Sequence, residues 1–201
     1  MPIIKQPERT RSRAQTTETI KFLTMSETKR LFDVIKDKRD KAIFLLAYRH
    51  GLRVSEIGRL QRGDFDEKQL RLNIHRLKGS LSGVHPLQTD EVRILKSYLR
   101  TRSDSLPYLF PSRKGAPISR AMLDVLIKGY GEIANLPDDK RHFHVLKHSI
   151  ATHLLDAGAD IRFVQDWLGH ANIQNTVVYA QISVGNREAK AREHFLKMPK
   201  F

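Results

Sequence analysis

The sequence predicts a mainly α protein with one small antiparallel β-sheet, and three observations lead there. Apolar residues recur at helical spacing along most of the chain, from Leu31, Val34 and Ile35 near the start to Ile161, Val164 and Leu168 near the end. Residues that start or stop helices punctuate these runs, among them Thr24, Gly51, Ser119 and Gly158. Between Asp64 and Leu87 the period changes to two, with Leu70, Leu72 and Ile74 alternating with Arg71, Asn73 and His75. The chain has 201 residues and no internal repeat or interdomain linker, which is one domain's worth of core.

Taken in order, residues 1–19 carry Lys5, Arg9, Arg11 and Arg13 and little to bury, so a disordered basic arm is expected there. Thr24 and Glu27 have capping-box spacing, and a helix with Leu31, Val34 and Ile35 facing inward should follow. A second helix, starting at Asp40 and running through Ile43, Phe44, Leu45 and Leu46, is apolar nearly all round and therefore buried. It ends at His50-Gly51, which places Arg53 on a rigid platform at the edge of the core.

The alternating stretch 70–75 is a half-buried strand, 78–83 a turn, and 84–87 the returning extended path. Thr89 or Asp90 caps a helix through Leu99, and Pro, Ser and Gly mark a loop over 101–117. Ser119 opens a helix to about Ala134, with Met122, Val125, Leu126 and Ile133 as its core face. Further helices are expected from His144 to the Gly158 stop and over Ile161–Leu168, with Trp167 packed beside the latter, and a short amphipathic one lies beyond Arg187.

Lys and Arg outnumber Asp and Glu by 36 to 22, a net charge of +14, which points to a polyanionic partner and to nucleic acid first. The chain has no cysteine, which excludes disulfides and thiolate metal sites and fits a reducing cytoplasm. No apolar run approaches the roughly 20 residues that span a bilayer, and the first residues lack the apolar core of a signal peptide.

The chemistry concentrates in residues 142–179. His144, Lys147 and His148 share one helical face, His170 follows a Leu-Gly turn, and Tyr179 follows the β-branched run Thr176-Val177-Val178. Two imidazoles, a cation and a tyrosine are groups able to stabilise and attack a phosphate. His142, His144, His148 and His153 have spacings at which imidazoles can share zinc, but their neighbours are mostly apolar and bring no thiolate or carboxylate, so neither metal nor cofactor is expected.

With Arg53 in a Gly-Leu-Arg-x-Ser-Glu segment and Lys78 eight residues before Pro86, this set resembles the catalytic residues of the tyrosine recombinases, the phage integrase family. The stretch from Leu23 to Tyr179 is similar to that family's catalytic domain. The nearest likeness is to the short fimbrial phase-variation recombinases, which lack a separate core-binding domain. The resemblance implies the tyrosine recombinase catalytic-domain fold over residues 20–182 and a tail, 183–201, exchanged between protomers. It implies Tyr179 as nucleophile and Lys78 as the acid for the leaving 5′ oxygen. Arg53, His144, Lys147 and His170 would surround the nonbridging oxygens, with Glu56 and His148 in support.

The DNA contacts expected outside the centre are Arg9, Arg11, Arg13 and Arg76. The implied activity is metal-independent cutting and rejoining of double-stranded DNA at specific, inverted-repeat sites, leading to inversion or integration. The expected protein is bacterial or phage-encoded and nucleoid-associated, a monomer when free and a tetramer on synapsed DNA, with accessory DNA-bending proteins as further partners. One position departs from the family: its usual His-x-x-Arg reads His144-Val145-Leu146-Lys147 here, which keeps the charge and loses the bidentate fork. Two alternatives stay open, a DNA-binding relative weakened in catalysis and a type IB topoisomerase-like nicking-closing enzyme.

Overall fold

In the computed structural model, which describes residues 20–76, 79–182, 191–192, 195–197 and 199, helices dominate. The order is α1 (Met25–Val34), α2 (Lys38–Arg49), α3 (Val54–Arg59), β1 (Phe65–Asp66), β2 (Arg71–Ile74), β3 (Gly83–Pro86), α4 (Thr89–Leu99), α5 (Arg120–Ile133), α6 (Val145–Asp156), α7 (Ile161–Trp167) and α8 (Gln174–Ile182). The strands form one antiparallel sheet in the order β1-β2-β3, with Leu72 opposite both Phe65 and His85. The expected basic arm lies outside the described residues, as do Lys78 and most of the expected tail helix.

Local chemistry accounts for the helix ends. Thr24 closes the expected capping box on α1: its Oγ1 accepts from the Glu27 amide at 3.2 Å, and Glu27 Oε2 accepts from the Thr24 amide at 2.7 Å. The second helix begins earlier than Asp40, because Asp37 accepts from the Asp40 amide at 2.9 Å and is itself the cap. Neither Thr89 nor Asp90 caps α4. Gln88 holds that position through Glu91, and Asp90 instead takes the fork of Arg49 at 2.6 and 2.7 Å.

Phe44, Leu46, Ile43 and Ala47 of α2 are sealed inside the main core with Leu31, Leu72, Leu95, Phe110, Leu123 and Phe143. A second, smaller core joins α6, α7 and α8 through Ile150, Ala151, Leu155, Val164, Leu168 and Tyr179. Tyr179 is thus held by apolar packing of the last three helices, and the β-branched run before it is helical, its propensity overridden by that packing.

One face was misjudged from sequence. Met122, Val125 and Ile133 of α5 are 46%, 63% and 64% exposed, and the buried row is Leu123, Ile127 and Gly131. Gly131 explains the rotation: a Cβ there would meet Arg141 Cγ at 2.9 Å, so its bare backbone faces inward to admit the Arg141 side chain. Among the described residues, no helix is long and apolar enough to cross a membrane.

Candidate active site

Two glycine turns frame the site. Gly51, with φ +57°, ends α2, and a Cβ there would lie 2.4 Å from Leu168 Cδ2. Gly169, with φ +65°, follows Leu168, and a Cβ there would lie 2.2 Å from Arg76 Cδ. Each position needs glycine both for its positive φ and for a close neighbour, Leu168 at Gly51 and Arg76 at Gly169.

The first turn delivers Arg53 at the start of α3. Its Nη1 donates to Glu56 Oε1 at 2.9 Å and to Ser80 Oγ at 3.1 Å, and its backbone amide donates to Glu56 Oε2 at 2.8 Å. The Arg53 side chain stays 31% exposed, whereas Glu56 is 1% exposed. Glu56 also accepts from Arg76 Nη1 at 3.1 Å, so one buried carboxylate aims two guanidiniums.

Arg76 does not fit the DNA contact expected of it. Its side chain has no exposed area, and its Nη2 donates to the carbonyls of His50 at 3.1 Å and Trp167 at 2.7 Å. The burial has a physical reason: the carbonyls left open at the ends of α2 and α7 need donors, and Arg76 supplies them.

Lys147 also ends elsewhere than expected. It is 1% exposed, and its Nζ donates to the Gly51 carbonyl at 3.0 Å and the Leu168 carbonyl at 2.9 Å rather than projecting beside Arg53. Burial, reinforced by the Arg76 and Arg53 charges, pushes its pKa down to about 6.

His144 stands exposed at the start of α6, and its ring meets that of His148 edge-on at 4.5 Å. His148, expected in a supporting role, has its Nδ1 2.8 Å from the Tyr179 hydroxyl. His170 is buried, its Nδ1 lies 2.9 Å from Thr176 Oγ1, and its ring stacks at 6.4 Å from that of Tyr179. Its backbone pairs with Ser80, which ties the hairpin turn that carries Arg53's partner to the His170 loop.

Burial raises the Tyr179 pKa to about 12 against the opposing charge of Arg53. It lowers those of His148 and His170 to about 3, with the surrounding cationic groups adding to the effect. The resting site therefore holds a neutral phenol beside neutral imidazoles.

A cleft of about 580 Å³ leads outward from Arg53 and His144 between Arg59, Arg120 and His142. Among the described residues, no group of three or more His, Asp or Glu is placed to hold a metal ion. Lys78, Arg9, Arg11 and Arg13 lie outside the described residues.

Sequence reasoning missed a buried chain beneath Gly51. His50 Nε2 meets Glu91 Oε1 at 2.9 Å, His50 Nδ1 meets His85 Nδ1 at 3.2 Å, and His85 packs on Trp167 at 4.1 Å. Its members are scattered over more than a hundred positions and carry no local signal. Ser80 and Thr176, which hold Arg53 and His170, were missed for the same reason.

Comparison with known proteins gives a consistent picture. The sequence profile of the phage integrase family matches residues 21–185. The type 1 fimbriae regulatory protein FimB of Escherichia coli K12 is 40% identical over 173 residues, covering 82% of this chain and 86% of FimB. FimE of the same strain is 36% identical over 168 residues, covering 79% of this chain and 84% of FimE. The crystal structure of XerA recombinase superposes with a TM-score of 0.73 at 29% identity, over 90% of this chain and 66% of that one.

Proposed function

The chain belongs to the phage integrase family and is a tyrosine site-specific recombinase, and from that premise we propose that Tyr179 cuts and rejoins double-stranded DNA through a 3′-phosphotyrosine link. The observation that carries this assignment is the Tyr179 hydroxyl itself. It is held by His148 at 2.8 Å, on an element packed against α6, which begins just after His144, and α7, which leads into the His170 loop.

The Tyr179 oxygen attacks phosphorus, the bond to the 5′ oxygen breaks, and Lys78 protonates that oxygen as it leaves. Arg53 spans the nonbridging oxygens, its aim fixed by Glu56. His144 donates to them from the mouth of the site. His170 donates from Nε2, its Nδ1 being occupied by Thr176. Lys147 acts one step back, as a positioning residue: by binding the Gly51 and Leu168 carbonyls it fixes the turns that deliver Arg53 and His170. Attack by a second 5′ hydroxyl reverses the chemistry, and the phosphotyrosine bond conserves the energy for rejoining without ATP.

The net charge of +14 supports a DNA partner, with Arg9, Arg11 and Arg13 lying along the backbone. The likeness to two type 1 fimbriae regulatory proteins fits the resemblance to fimbrial phase-variation recombinases, and the outcome proposed from that resemblance is inversion of a segment between inverted repeats. The acting unit would be a tetramer of this chain on synapsed DNA, with the tail 183–201 passed between protomers and DNA-bending proteins assisting. The test is to search the DNA beside the gene for an inverted-repeat pair and to place that pair on a plasmid. Switching of the intervening segment supports the proposal, and relaxation of supercoils with no recombinant would favour a nicking-closing enzyme instead.

A further inference from the structure

We propose that His148 is the catalytic base of this centre, taking the proton from the Tyr179 hydroxyl as its oxygen attacks phosphorus. The inference rests on the recombinase reading of Tyr179 and adds a residue to it.

Geometry singles out His148. Tyr179 is 3% exposed, so bulk water has little access to its hydroxyl. The proton must therefore pass to a group already inside. Among the described residues, the side chain hydrogen-bonded to that hydroxyl is His148, through Nδ1 at 2.8 Å. A base has to be within about 2.6–3.2 Å of the proton it removes.

The other candidates face elsewhere. The His170 ring lies nearly parallel to the Tyr179 ring, 16° between planes, and its Nδ1 is bound to Thr176. Lys147 Nζ is bound to two carbonyls. His144 touches His148 rather than Tyr179, ring edge to ring face at 4.5 Å, on the side of the site that opens to solvent.

Protonation states agree with this arrangement. Burial holds His148 neutral, so with a proton on Nε2 its Nδ1 lone pair is free to accept. A phosphodiester seated against Arg53 brings a negative charge that favours the imidazolium, so acceptance strengthens as substrate binds.

The step balances. The Tyr179 O–H bond breaks and its proton forms the Nδ1–H bond of an imidazolium. The phenolic oxygen forms the bond to phosphorus, and the 5′ oxygen leaves with a proton from the acid. On rejoining, the incoming 5′ hydroxyl gives its proton back to that deprotonated acid and its oxygen bonds to phosphorus, the phosphotyrosine bond breaks, and His148 returns its proton to the departing phenolate.

The experiment is single-turnover cleavage of a nicked suicide duplex by the full chain and by His148→Gln and His148→Ala, each with Tyr179 natural or replaced by a more acidic fluorotyrosine. The variants should bind the duplex like the parent and form adduct about a hundredfold or more slowly. Fluorotyrosine should restore most of that loss while changing the parent little, because only a missing base is offset by an easier proton. A sulfur at the 5′ bridging position, which relieves the leaving group, should restore none of it. His148→Gln cleaving at the parental rate, or a loss that fluorotyrosine leaves untouched, would overturn the assignment. Absence of any adduct with the parent would overturn the recombinase reading and this inference with it.

Discussion

Lys147 Nζ donates to the carbonyl oxygen of Gly51 at 3.0 Å, from a side chain that is 1% exposed. The lysine at the position where the family has arginine therefore ties the Gly51 and Leu168 turns together. An arginine there has to place a larger planar head in the same space. Lys147→Arg should lower the unfolding free energy by about 1–3 kcal/mol, as overpacked sites do, and should not raise the cleavage rate. Denaturant unfolding with single-turnover kinetics checks this, and a faster, equally stable variant would return Lys147 to direct phosphate contact.

The same burial makes stability depend on pH. With the Lys147 pKa lowered to about 6 from an ordinary 10.5, the unfolded chain holds a proton across that window which the folded chain has released. Its contribution to stability therefore rises as pH increases from about 6 toward 10 and is smallest below 6. Lys147→Met should flatten that part of the curve, read as denaturation midpoints from pH 5 to 9. An unchanged slope would show that Lys147 keeps its charge when folded.

Glu56 neutralises two guanidiniums, one of them without exposed area. Glu56→Gln leaves the Arg76 charge buried and unpaired, a change that costs about 3–5 kcal/mol in comparable sites. It should also release Arg53 and slow cleavage. A thermal melt close to the parent's would contradict this account of the pair.

The leaving group offers a separate test. Lys78→Ala should cleave ordinary DNA slowly and be rescued by a 5′ bridging sulfur, which departs without a proton. Equal defects on both substrates would assign Lys78 to the nonbridging oxygens.

In the proposed mechanism Arg53 and the imidazoles bring the charge that a divalent cation would otherwise supply. Cleavage should therefore proceed at the parental rate in EDTA. Loss of activity that magnesium or zinc restores would contradict a metal-free centre.

What the sequence made legible was local. The Thr24–Glu27 box, the Ser119 cap and the stops at Gly51 and Gly158 depend on residues within one turn of each other, and they appear as expected. The facing of α5 was not legible, because it turns on Gly131 admitting Arg141 from a later segment. Nor were the positions of Arg76 and Lys147. A basic side chain next to a catalytic motif suggests a phosphate, and only the folded chain shows carbonyls of Gly51, Trp167 and Leu168 converging on it. The resemblance of motifs located Arg53, His144, His170 and Tyr179 in sequence. The 2.8 Å link from His148 to Tyr179 needed α6 and α8 packed together.

The central claim is that Tyr179 carries the DNA, and the most direct measurement is trapping. A nicked duplex that loses its short 5′ fragment after cleavage should leave a denaturant-stable protein–DNA adduct, and peptide mapping should place the 3′ phosphate on Tyr179. Tyr179→Phe keeps the ring in the second core, so it should bind the same duplex and form no adduct. An adduct that persists in the Phe variant, or that maps to another residue, would contradict the account.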